Sequence, residues 1–155
     1  MLDGALSASA LVDRVLDKIA RWDDPALWIT RVEEDAVRAR CHQLDAAAMA
    51  DPGLTTRLPL FGVPFAVKDN IDVAGLPTTA ACPDFAYGPS ASATAVRRLE
   101  AAGAIVVGKT NLDQFATGLV GMRSPYGVPR NPFDPAYIPG GSSSGSAVAV
   151  ATGSV

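Results

Sequence analysis

Apolar residues recur at helical spacing near the start of the chain. Leu11, Val15 and Ile19, with Val12 and Leu16 beside them, mark one face of a helix that Ser7 or Ser9 can cap and Pro25 ends. Trp28 to Val32, WITRV, predicts a short strand. EEDAVRARCHQLDAAAMA then predicts a second helix with Val37, Cys41, Leu44 and Ala48 on one face, stopped by Asp51-Pro52-Gly53. After that the periodicity changes. Leu60 to Val67, LFGVPFAV, is a mostly apolar extended run interrupted by Pro64 and followed by Lys68. A Gly/Pro/Thr-rich loop, DVAGLPTTAACPDF, separates it from a helical stretch over 92–102. AIVV, at 104–107, has the composition of a fully buried strand. Asn111 is predicted to cap a short helix through Ala116. Residues 118–141 are rich in Gly and Pro, and irregular segments of that length usually serve function. SSGSAVAVATG predicts a closing helix of small residues. Strands alternating with helices predict an α/β domain with a buried sheet.

Composition narrows the partners. The chain has 155 residues, 48% of them hydrophobic and 19% charged, as expected for one globular domain. The net charge of −3, with Lys and Arg scattered, argues against nucleic acid or an anionic membrane as the main partner. No apolar run approaches the ~20 residues that cross a bilayer. The opening MLDGALSASALVDRVLDK carries Asp3 early and lacks the layout of a signal peptide. Cys41 and Cys82 are too few for a disulfide scaffold or a structural zinc site. A soluble, cytoplasmic protein is the expectation. The single histidine, His42, lies mid-helix beside Cys41, amid Arg38 and Arg40, which removes Ser-His-Asp, Cys-His and His-cluster metal chemistries.

Two Gly-bearing stretches compete for chemistry. Gly103 to Thr110, GAIVVGKT, fits the pattern of a phosphate-binding loop whose Lys and hydroxyl meet phosphate and Mg²⁺. Its four variable residues are Ala-Ile-Val-Val, however, and β-branched residues favour strand over an anion-wrapping turn. Upstream, TAVRRLEAAG reads as a helix ending at Gly103. The motif therefore spans helix stop and strand, and Lys109 is assigned to the exit of a core strand.

The second stretch is GGSSSGS, Gly140 to Ser146. Gly140 and Gly141 admit unusual backbone conformations, and three serines precede a helix whose first N–H groups can face an anion or oxyanion. The alternative is a flexible Gly/Ser linker, against which the tight AVAVA run argues. Lys68 follows an apolar run, so desolvation at the strand end would lower its pKa toward proton-transfer range. The alternative for it is a strand-capping Lys paired with Asp69 or Asp72. A Lys and a Ser cluster in a chain with one His point to Ser-Lys chemistry.

Three ordered stretches carry a resemblance: GVPFAVKDNIDVAGLPTTAAC, GAIVVGKTNLDQFATG and NPFDPAYIPGGSSSGSAVAVA. They are similar to the amidase signature family of Ser–cis-Ser–Lys amidohydrolases, from about Leu58 to the last residue. The implied fold is the N-terminal portion of that α/β fold, a mixed central sheet covered by helices, truncated. Residues 1–57 would form an N-terminal helical segment and 58–155 the start of the core. The loop DQFATGLVGMRSPYG looks most like that of allophanate hydrolases, which cleave the terminal amide of urea-1-carboxylate in urea degradation. The amidotransferase component that amidates misacylated Glu-tRNA or Asp-tRNA, and general amidases, are the alternatives.

By the same resemblance Lys68 is the base and Ser142, 74 positions later, the bridging serine, with a cis peptide bond before it. Gly140, Gly141, Ser143 and Ser144 support the loop, and Gly121 and Met122 line the substrate pocket. The implied route is an acyl-enzyme one needing no metal or cofactor, with a small-molecule amide as substrate and a homodimer as one assembly of the full-length enzyme. The family's nucleophilic serine belongs to a second Gly-Ser motif past Val155. The expectation is therefore an N-terminal piece that is inactive alone.

Overall fold

The computed structural model describes residues 7–155; Asp3 and the start of the expected non-signal N-terminus lie outside the described residues. Helix α1 (Ala8–Arg21) begins at Ser7, whose hydroxyl accepts the Ala10 N–H at 3.0 Å. Its first N–H groups are also capped from a distance. Asp45, on α2 (Glu34–Ala50), accepts from the Ala8 and Ser9 amides. Ordinary helix-end chemistry thus ties the two helices together.

Among the described residues, three strands form one mixed sheet in the order β1-β3-β2, with β1 at Trp28–Arg31, β2 at Pro64–Lys68 and β3 at Ile105–Thr110. β3 is central, antiparallel to β1 and parallel to β2. A buried layer of Val12, Val15, Leu16 and Ile19 from α1 and Val37, Cys41 and Leu44 from α2 packs on Ile105 and Val107. The α2 face is the one anticipated from the sequence, whereas on α1 the buried stripe runs through Val12 and Leu16 as well as Val15 and Ile19 and leaves Leu11 half-buried. Because β1 joins β3 and both early helices share its core, packing runs continuously across the division drawn after residue 57.

Two local expectations need correction, and one element was not anticipated. The extended run does not start at Leu60: residues 60–63 turn, with the Val63 N–H on the Leu60 carbonyl, and the strand starts at Pro64. A proline that cannot donate to a ladder belongs at such a first position. Asn111 caps no helix. Its amide is buried and turned inward, donating to the Ala26 and Gly127 carbonyls, and Phe115 and Ala116 adopt left-handed backbone at φ 52° and 58°. A short helix α3 (Leu54–Arg57), not anticipated, follows the Pro52-Gly53 stop.

Helix α4 (Thr94–Ala101) carries the crossover between the parallel strands. Its end shows why GAIVVGKT is no phosphate loop. Gly103, at φ +98°, donates to the Glu100 carbonyl while Ala104 donates to that of Leu99, a pair of bonds that stops a helix. The next residues are β3 itself. Helix α5 (Ser144–Thr152) then packs through Val148 and Ala149 on Leu27 and the Trp22 and Trp28 rings.

Candidate active site

The carboxyl ends of the parallel strands β2 and β3 lie side by side, Val67 opposite Lys109 and Lys68 opposite Thr110. Crevices at such strand ends are where open α/β sheets place ligands. Alternation separates the two lysines. Lys109 is wholly buried, 3.2 Å from Asp69 Oδ1, and donates to the Pro77 carbonyl at 3.0 Å and to Thr78 Oγ1. The contact with Asp69 is a charge contact rather than an aligned hydrogen bond; the other Asp69 oxygen accepts from the Thr79 amide. Lys109 is thus a structural anchor for the 77–79 loop, in keeping with the strand reading of its motif.

Lys68 is half-buried and points the other way. Its Nζ lies 2.8 Å from Ser142 Oγ and 2.9 Å from Ser143 Oγ. The pairing with Asp69 or Asp72 considered from sequence does not form. Asp69 faces Lys109, and Asp72 accepts from Thr78 and Tyr87. Burial pushes the Lys68 pKa below its ordinary value, and the negative charge of Asp113 opposes that shift. An amine with two hydroxyl partners and a lowered proton affinity is fitted to receive a proton from a hydroxyl.

The serine segment reaches this position because α5 is pinned to the end of β3. Gly145 donates its N–H to the Asn111 carbonyl at 3.0 Å, and a Cβ there would strike the Asn111 backbone. Thr110 Oγ1 and Ser146 Oγ share a hydrogen bond of 2.7 Å. The Gly141–Ser142 peptide bond is cis and Gly140 sits at φ +77°. Ser144 is fully buried, whereas Ser143, grouped with it by sequence as a loop support, faces Lys68 directly.

The neighbouring 118–123 loop divides its roles. Gly121 is buried at φ +75°, between Pro139, Gly140 and Ser144, and its N–H is committed to Asp113 Oδ2 at 3.0 Å. That amide is not free for a ligand. Met122 is 53% exposed and remains open to one. Asp113 was not singled out from sequence; an acidic residue in TNLDQF gives no sign that loops will close over it. On α2, His42 is exposed and Cys41 is buried, its thiol pushed up to about 11, chiefly by that burial. Neither takes part.

Comparison with known proteins gives the family. The urea amidolyase of Lachancea kluyveri is 55% identical over 133 residues, which is 86% of this chain and 7% of that protein. A glutamyl-tRNA(Gln) amidotransferase component from Symbiobacterium thermophilum is 46% identical over 98% of this chain and 31% of its own length. The solved allophanate hydrolase of Kluyveromyces lactis superposes with a TM-score of 0.76 at 41% identity, covering 97% of this chain and 26% of that one. The chain therefore spans a tenth or less of the urea amidolyase and about a third or less of the other two. The family model for amidases matches residues 10–155, and the chain belongs to the amidase family.

Proposed function

We propose that this chain supplies the Lys68–Ser142 half of a Ser–cis-Ser–Lys amidohydrolase site whose substrate is allophanate, urea-1-carboxylate. The observation that carries the reading is the 2.8 Å contact between Lys68 Nζ and Ser142 Oγ, at a cis Gly141–Ser142 bond. Similarity to a urea amidolyase and an allophanate hydrolase supports the substrate. In the proposed route neutral Lys68 takes a proton through the Ser142 hydroxyl from a nucleophilic serine contributed by another part of the enzyme. That serine oxygen bonds to the terminal amide carbon, N–H groups stabilise the oxyanion, and the C–N bond breaks. The proton held by Lys68 returns through Ser142 to the departing nitrogen, releasing ammonia. Water then opens the acyl-enzyme by the same relay.

A second reading, glutamine-dependent amidation as in the amidotransferase, is favoured by the 46% identity that extends over 98% of the chain. The two are separated by assaying the complete gene product for ammonia release from allophanate, glutamine, acetamide and malonamide. The proposal expects allophanate to have the highest kcat/KM of the four. A preference for glutamine supports the second reading, and no release from any of them contradicts both.

A further inference from the structure

Asp113 is wholly buried, and its carboxylate carries no salt bridge to a basic side chain among the described residues. Burying an ionised carboxylate is costly unless N–H donors surround it. Here they do. Oδ2 accepts the Gly121 N–H at 3.0 Å, and Oδ1 the Arg123 N–H at 2.8 Å. The backbone N–H of Asp113 donates to the Ser142 carbonyl at 2.9 Å. Gly118 and Gly141 press on the same carboxylate, and a Cβ at either would overlap it. One side chain thus touches the 118–123 loop and the segment holding Ser142. Burial alone would raise its pKa, but the amides of Arg123, Gly121 and Val120 outweigh that and leave it lowered. It therefore stays ionised at neutral pH.

We propose that Asp113 is a positioning residue of the site: its buried carboxylate gathers the 118–123 loop onto the Gly141–Ser142 turn, keeps Ser142 within reach of Lys68, and holds a fixed negative charge near that amine. The other charged groups on segments around Lys68 are Arg123, in the same loop, Asp72, whose carboxylate accepts from the Thr78 and Tyr87 hydroxyls, and the Asp69–Lys109 pair, which is self-compensating; α5 contributes none. Asp113 is thus the anion left to act on Lys68, and it does so against the desolvation of that residue.

The significance of this role rests on the proposed function, but its test does not need turnover. Isotope-labelled protein is titrated by NMR at the Lys68 ε position, in the wild type and in Asp113→Asn. Asparagine keeps the shape, removes the charge, and turns one acceptor into a donor that opposes the Gly121 or Arg123 amide. The Lys68 midpoint is expected to fall, because the anion that opposes its desolvation is gone, and the Gly121 and Arg123 amide protons to move upfield. An unmoved Lys68 midpoint in a folded Asp113→Asn protein overturns the proposal. Should that variant not fold, Lys68→Met reads the same coupling in reverse, because linkage is reciprocal. The Asp113 carboxyl midpoint is then expected to rise, and one that does not move overturns the proposal. A wild-type Lys68 midpoint at the ordinary lysine value contradicts the proposed function instead.

Discussion

At the scale of single residues, environment rather than identity separates the two lysines. Lys109 has a carboxylate and two oxygen partners in a dry interior, whereas Lys68 meets two hydroxyls at a strand end. Desolvation places the folded pKa of Lys68 below the ordinary 10.5. Between those two values the unfolded chain binds a proton that the folded one does not, so stability gains from this group as pH rises through the window and levels off above 10.5. The proposed reaction needs the neutral amine, so the rate should climb with pH along a limb whose midpoint also lies below 10.5. Lys68→Arg keeps a cation but cannot give up its proton. We predict that it lowers kcat in the complete enzyme by about 10²–10⁴-fold, and that its pH–rate profile lacks this limb. Activity within threefold of wild type would show that proton transfer at residue 68 is not required.

At the scale of elements, hydrophobic periodicity made α1, α2 and the core of β3 legible in the sequence, since each buries one stripe or a β-branched run. What stayed hidden depends on tertiary hydrogen bonds. Asn111 looks like a helix cap but is used as a bridge between the Ala26 carbonyl and the 124–127 turn, and no local pattern encodes a partner 85 positions away. Asp113 was missed for the same reason. The Lys109–Asp69 contact joins β3 to the segment after β2, and its partners lie far apart in sequence. Lys109→Ala leaves Asp69 buried without its cation, and we predict a loss of about 3–5 kcal/mol in urea unfolding. Because Gly103–Thr110 is a helix stop and a strand, neither the wild type nor Lys109→Ala is expected to bind Mg²⁺-ATP in a titration. A loss below about 1 kcal/mol would mean that the pair is not the anchor described.

At the scale of the whole molecule, three remote stretches converge. β2 carries Lys68, the 118–123 loop wraps Asp113, and the segment leading into α5 presents Ser142 and Ser143. The sheet makes this possible by bringing two parallel strand ends together, and the Gly145 contact with Asn111 fixes how closely α5 approaches. The Lys68–Ser142 pair was legible beforehand through the resemblance of three motifs, since nothing in composition alone brings residues 74 apart together. Among the described residues, Leu119, Phe133 and Val150 stay largely exposed, as does Met122 beside the site.

The central claim is that Lys68 and Ser142 work as one relay, and a double-mutant cycle tests it most directly. Ammonia release by the complete enzyme is measured for Lys68→Ala, Ser142→Ala and the pair together. Residues that act as a unit lose activity non-additively, so the double variant is predicted to be no slower than the slower single one. Losses that multiply, each substitution lowering kcat by its own full factor in the presence of the other, would contradict the relay.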